Sequence, residues 1–153
     1  MQAKQIVPIF LSAVALAAAI QGRAQAQAGS APAAANAVVV RKLFEGATTN
    51  SGDPIVMPAG HLQATVSKYV IPVGASLPVH KHLFPRYGYL ISGALEVTNA
   101  ETGHVMQFAS GQFVVEDVQK WHRARNMGHV PVELLVIDFA PPGQPNTVLQ
   151  KAP

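Results

Sequence analysis

Two histidines spaced two apart, with an arginine four residues further on, stand in the stretch "PVHKHLFPRYGYLISG" (residues 78–93). In a β-strand successive side chains alternate between faces, so His80 and His82 share one face and Lys81 takes the other. Paired imidazoles suit zinc, copper, iron or nickel, and a third ligand from another strand would complete a three-histidine set. His122, in "WHRARN", is the candidate. The same alternation groups His122, Ala124 and Asn126 on one face and Trp121, Arg123 and Arg125 on the other, with the charges outward. An H-x-H pair is also an ordinary surface or hydrogen-bonded feature, so the pair alone does not specify a metal. His61, His104 and His129 lie in turn-rich surroundings and are assigned no role.

Arg86 complicates such a site. A guanidinium stays protonated and has no acceptor, so it cannot ligate. At about 6 Å from a dication, with an effective dielectric near 20, it would be repelled by roughly 5–6 kcal/mol, which rivals the stability of a whole domain. Three resolutions are open. Arg86 turns outward beside Pro85; it pairs with a carboxylate such as Glu116 or Asp117; or it awaits an anionic ligand that also coordinates the metal. Glu116, in "QFVVED", either supplies a carboxylate to the site or faces solvent, and alternation does not decide between them. Gly88 shares a face with Arg86 and Leu90 and is expected to leave space beside the metal. Tyr87 and Tyr89 fall on the opposite face and read as packing residues, while Phe84 and Trp121 wall either a pocket or a subunit contact.

The elements that must position these residues are strands. From Val38 onward, short β-branched or aromatic runs recur between turn signals: "LQATVSKYVI", "YGYLIS", "ALEVTNA", "HVMQFA", "QFVVED", "WHRARNM" and "VELLVIDF". No segment keeps a capped 3.6-residue apolar period, and about seven or eight closely spaced strands point to an all-β antiparallel sandwich or barrel. "VELLVIDF" reads as a core strand. The tail "PPGQPNTVLQKAP" (141–153) has too many prolines for a central strand and is expected to add at most a short edge strand at Thr147 to Leu149.

With strands and histidines in place, the spacing resembles the cupin family, of the small single-domain type-2 kind. Gly74, His80, Lys81, His82, Arg86 and Gly93 follow its first motif, with Arg86 where that motif has glutamate. Gly103, Gly111, His122 and Asn126 follow a worn second motif, with Ala109 at the usual proline position. The motifs cover residues 74–126, and the strand pattern extends the likeness to roughly 60–139. The resemblance implies a jelly-roll barrel, or double-stranded β-helix, whose interior histidines bind a divalent ion, commonly Fe, Mn, Ni, Cu or Zn. Carried over position by position, His80, His82 and His122 are the metal ligands and the carboxylate ligand is missing. No single reaction follows, since the fold hosts many. As an enzyme the protein would use a Lewis-acidic or oxygen-binding metal on a small anionic organic molecule, with Arg86 orienting its carboxylate and Glu116 as candidate proton shuttle. As a binding module it would capture or sense a ligand without turnover, with or without metal.

Organisation and charge narrow the setting. Residues 1–28 read as a cleaved secretory signal: Lys4 precedes an apolar segment from Ile6 to Ile20, and "AQAQA" supplies small residues for cleavage. The alternative, a membrane anchor, is short of the roughly 20 residues needed to span a bilayer. Residues 29–37 read as a flexible linker, 38–140 as the domain. Removing Lys4 and Arg23 from 11 basic and 8 acidic residues leaves 9 against 8. That near-neutral chain, without a basic run, argues against nucleic acid as a partner. No cysteine is present, so neither a disulfide nor a lipid-modified cysteine anchors the protein. The expected location is outside the cytoplasm, the periplasm where the cell has two membranes, with no membrane attachment after cleavage. "AVVVRKLF" reads as an apolar strand able to join a neighbour's edge, which favours a homodimer.

Overall fold

The computed structural model describes residues 37–151; the expected signal segment and residues 29–36 of the linker lie outside the described residues. Among the described residues nine strands follow in order: β1 Gln63–Ile71, β2 His80–His82, β3 Arg86–Ser92, β4 Ala94–Asn99, β5 Val105–Ala109, β6 Phe113–Val115, β7 His122–Asn126, β8 Val132–Ala140 and β9 Thr147–Leu149. They form a four-stranded sheet, β1-β8-β3-β6, and a five-stranded sheet, β5-β4-β7-β2-β9, with every strand pair antiparallel. This is the all-β antiparallel architecture expected from the strand pattern, in the jelly-roll form that the cupin resemblance implies, and no helix is present among the described residues.

Alternation explains which residues fill the interior. On the four-stranded sheet Ile71, Leu90, Val114, Val132, Leu134 and Val136 point inward; Leu95, Val97 and Ala124 of the other sheet meet them in one buried cluster. Along β7 the burial reads buried, exposed, buried, exposed, buried, as the placement of Arg123 and Arg125 outward requires. The short edge strand β9 pairs with β2, His80 opposite Leu149 and His82 opposite Thr147. "AVVVRKLF" differs from expectation, since no strand runs through residues 37–46. A strand needs a partner for its backbone groups, and the described residues offer none here; the expected partner is the edge of a neighbouring copy.

Two glycines are required where they stand. Gly93 links β3 to β4 at φ 84°, and a Cβ there would sit 2.8 Å from Val132 Cγ2 and 2.9 Å from Val132 Cα. Gly93→Ala is expected to cost about 3 kcal/mol, combining left-handed backbone strain with overpacking against a fully buried valine. A lowered urea midpoint at unchanged slope would show it, and an unaltered midpoint would refute it. Gly88 corrects the expectation of space beside a metal: its missing side chain accommodates Leu134, whose Cδ1 would lie 3.1 Å from an added Cβ. The room serves the core.

Candidate metal centre

Strand register brings the three histidines together. His80 of β2 lies directly opposite His122 of β7, the one paired position between those strands, and His82 follows on the same inward face. Residues directly opposite in an antiparallel pair hold their Cβ atoms about 4.5–5.5 Å apart, so two distant sequence segments become immediate neighbours. Ring centroids are 4.4 Å apart for His80–His122, 5.0 Å for His80–His82 and 4.9 Å for His82–His122. All three are buried. Lys81 takes the outer face, half-buried with its ammonium 5.0 Å from the centre of the Trp121 ring.

The fourth member is Glu116, directly after β6. Here the chain leaves the four-stranded sheet and crosses to the other: Glu116 N donates to Arg86 O at 3.0 Å and Gln119 N to His82 O at 2.7 Å. This crossing aims the carboxylate inward, where Oε2 lies 3.0 Å from Nε2 of His82 and 3.0 Å from Nε2 of His122. From the crossing after β6, Glu116 thus brings to the cluster a carboxylate of the kind absent at position 86. The ligand atoms of His80, His82, Glu116 and His122 all lie within 4.8 Å of one another. Donors held roughly 2.0–2.2 Å from one ion are about 3–4.4 Å apart, so a modest contraction would place all four around a metal.

The protonation pattern fits that set. His80 Nδ1 faces Pro78 O at 2.8 Å and His122 Nδ1 faces Lys120 O at 3.0 Å. Each carbonyl requires a proton on Nδ1, so that when the ring is neutral Nε2 is the inward atom able to ligate. His82 Nδ1 is buried without a partner. Burial, aided by the neighbouring rings of His122 and His82, lowers the pKa of His80 to about 4. At His122 burial works downward too, but the hydrogen bond and charge of Glu116 prevail and raise it. Burial would raise Glu116, yet its hydrogen bonds with His122 and His82 hold it well below the usual carboxylate range. Three nitrogens and one carboxylate converging on a buried point suit the borderline divalent metals.

Arg86 follows the second of its three courses with an unexpected partner. Its Nε donates to Asp138 Oδ1 at 2.7 Å and its Nη2 to Asp138 Oδ2 at 2.8 Å, rather than to Glu116 or Asp117. The β3–β8 register sets Arg86 opposite Asp138, and Asn146 Nδ2 donates to the same carboxylate at 2.6 Å. The ion pair removes most of the repulsion expected between arginine and a dication. Asp117 instead accepts from Ser51 N and Oγ at 2.9 and 2.5 Å. Asn126, 1 % exposed, is structural: its Nδ2 donates to Ile71 O and Val130 O. His61, His104 and His129 are exposed and apart from the cluster. Asp138 was the member missed from sequence; an acid inside the apolar run "VELLVIDF" was the signal, because a buried charge demands a counter-charge.

Two cavities reach the cluster. One of about 120 Å³ is lined by Tyr69, Leu77, Pro78, His80, Arg86, Thr147 and Leu149. Another of about 190 Å³ reaches Glu116 from beside residues 49–56.

Residues 67–138 match the family model described as "Cupin domain". No curated protein matches the sequence. Among solved structures, a double-stranded β-helix protein from Klebsiella pneumoniae is 23% identical over 58% of this chain and 76% of its own, with a TM-score of 0.48. A Lactobacillus farciminis oxalate decarboxylase, solved with formate, is 19% identical over 56% of this chain with a TM-score of 0.49; this chain covers 26% of its length. A predicted oxalate decarboxylase from Thermotoga maritima is 21% identical over 50% of this chain and 65% of its own, with a TM-score of 0.44.

Proposed function

The chain belongs to the cupin superfamily through its domain at residues 67–138, and on that premise we propose that it is an exported protein holding one divalent metal through His80, His82, His122 and Glu116 for a small anionic organic ligand. The observation that carries this reading is the convergence of two imidazole Nε2 atoms on a single Glu116 oxygen at 3.0 Å each, inside a barrel. The anionic ligand follows from charge. Three neutral imidazoles and one carboxylate around a dication leave one net positive charge in a buried place, which a monoanion neutralises. The 120 Å³ cavity offers such an anion both His80 and Arg86, whose Nη1 is not engaged by Asp138.

When bound, the metal supplies Lewis acidity or, as iron, an oxygen-binding centre. The chain's own residues bind and orient: His80 and His122 are fixed by their Nδ1 anchors, and Arg86 presents a donor to the anion. Glu116 is spoken for as a cage member, which weakens its candidacy as proton shuttle. With Asp138 also engaged, no unengaged base adjoins the His80 cavity among the described residues, which favours the second reading, capture or sensing without turnover. Export rests on the apolar segment and small-residue site at residues 1–28. A homodimer is supported by the apolar outer face of the four-stranded sheet, where Val66 and Val70 are 62% and 58% exposed.

Elemental analysis of the purified protein tests the metal reading, with one equivalent expected; formate or acetate titrated into metal-loaded and metal-free protein tests the ligand. Binding by the metal-free form alone would overturn the proposed site. Acid should weaken the metal. Below the raised pKa of His122 a proton sits between that ring and Glu116, and the metal must displace it. The apparent Kd is expected to rise by at least about tenfold per pH unit below that point, and more steeply near pH about 4, where His80 takes a proton as well. Titration calorimetry at several pH values reads this slope, and a pH-independent Kd would contradict it.

A further inference from the structure

We infer that the cavity between the 47–55 hairpin and Glu116 is a second ligand site, which takes an uncharged molecule the size of one aromatic ring bearing a hydroxyl. The hairpin is a built structure: Thr48 bridges Pro54, Thr49 N donates to Asp53 O at 2.8 Å and Ile55 N to Ala47 O at 2.9 Å. Polar ties dock it onto the segment carrying Glu116. Asn50 N donates to Val115 O at 2.8 Å, Ser51 holds Asp117, and Lys120 pairs with Asp53 at 2.5 Å. Beneath this hairpin a space of about 190 Å³ stays open, more than the roughly 150 Å³ that admits benzene to an apolar cavity.

The lining defines the occupant. Pro54, Ile55, Val56, Pro85, Val115 and Val118 form apolar walls, and the Tyr87 ring adds an aromatic surface. The acids present are already engaged, Asp53 by its ion pair with Lys120 and Glu116 by its contacts with His82 and His122, so the space calls for neither charge. Thr49 lines the same cavity, is about nine-tenths buried, and its Oγ1 has no hydrogen-bond partner. Turning that hydroxyl about χ1 sacrifices no bond, and a ligand hydroxyl can both donate to it and accept from it. The His80 cavity shares no lining residue with this one. The inference rests on the metal reading in one respect: Glu116 belongs to both cage and cavity, so an occupant sits beside the ion.

Phenol is the probe, titrated into the purified protein while methyl resonances of Ile55, Val115 and Val118 are followed. Phenol should shift these methyls, with affinity about tenfold weaker in Thr49→Val and within about twofold of wild type in Thr49→Ser. Toluene, lacking the hydroxyl, should not distinguish Thr49→Val from wild type. Thr49→Val should also raise the unliganded thermal midpoint, because it removes a buried unpaired hydroxyl, whereas a structural hydroxyl would lower it. Absence of methyl shifts, equal phenol affinity in Thr49→Val, or a lowered midpoint would each overturn the inference. Metal content is measured on the same wild-type protein by elemental analysis, so a protein without stoichiometric metal refutes the metal reading separately, whatever phenol does.

Discussion

Replacing His122 by alanine is expected to remove stoichiometric metal from the protein, with affinity falling by more than the 10–100-fold typical of losing an outer-shell partner. The argument is positional. His122 contributes the cross-strand partner of His80 and one of two imidazoles on Glu116 Oε2. Without it the cage keeps two nitrogens and one carboxylate, and Glu116 keeps one imidazole partner, His82. His80→Ala should behave alike, although His80 makes no hydrogen bond to Glu116, because each ring supplies one of four donors. His104→Ala, an exposed histidine outside the cluster, is the control and should keep its metal. A thermal midpoint read with and without metal supplies an independent measure: a metal at 1,000 times its Kd adds about 4 kcal/mol to wild type and should add almost nothing to either cage variant. Equal metal content in His122→Ala and wild type would remove the centre from consideration.

The histidines were legible because their geometry is local. Alternation alone puts His80 with His82 and gives His122 an inward face, and the glycine spacing that resembles cupins joins the two segments. Glu116 was not assignable by the same means. Alternation holds within a strand, and β6 ends at Val115; the next residue belongs to a crossing between sheets whose direction is set by Arg86 O, His82 O and the docked hairpin. Asp138 was illegible for a related reason. Its partner lies 52 residues away, and only the β3–β8 register says which inward-facing residue meets Arg86. That register includes a bulge between Leu90 and Ser92, so counting back from the Gly93 turn by strict alternation would misplace the pair. Gly88 misled because a missing side chain was credited to the nearest chemistry, whereas Leu134 of the adjacent strand fills it.

The same pair yields the second large effect. Arg86 and Asp138 side chains are 7% and 13% exposed, so deleting one partner strands a charge in the interior. Asp138→Ala is expected to lose about 3–5 kcal/mol, a large share of a typical domain's stability. It leaves Arg86 without its bidentate acceptor and deprives Asn146 Nδ2 of its acceptor as well. Burial works against the Arg86 charge, while its hydrogen bonds to Asp138 and the nearby charge of Glu116 raise its pKa; a guanidinium stays protonated in proteins, so the group is cationic even when Asp138 is gone. Its uncompensated charge then faces the cage through Glu116, and metal affinity should fall alongside stability. Arg86→Leu combined with Asp138→Leu separates the two causes. Replacing a buried ion pair by apolar residues of similar size is often neutral or stabilising, so the double variant should regain most of the stability and bind metal at least as well as wild type while losing affinity for formate. Denaturant midpoints and metal titrations on the three proteins decide it. Should Asp138→Ala unfold at the wild-type midpoint, the pair is not the buried counter-charge that allows arginine to stand where a cage carboxylate would otherwise be.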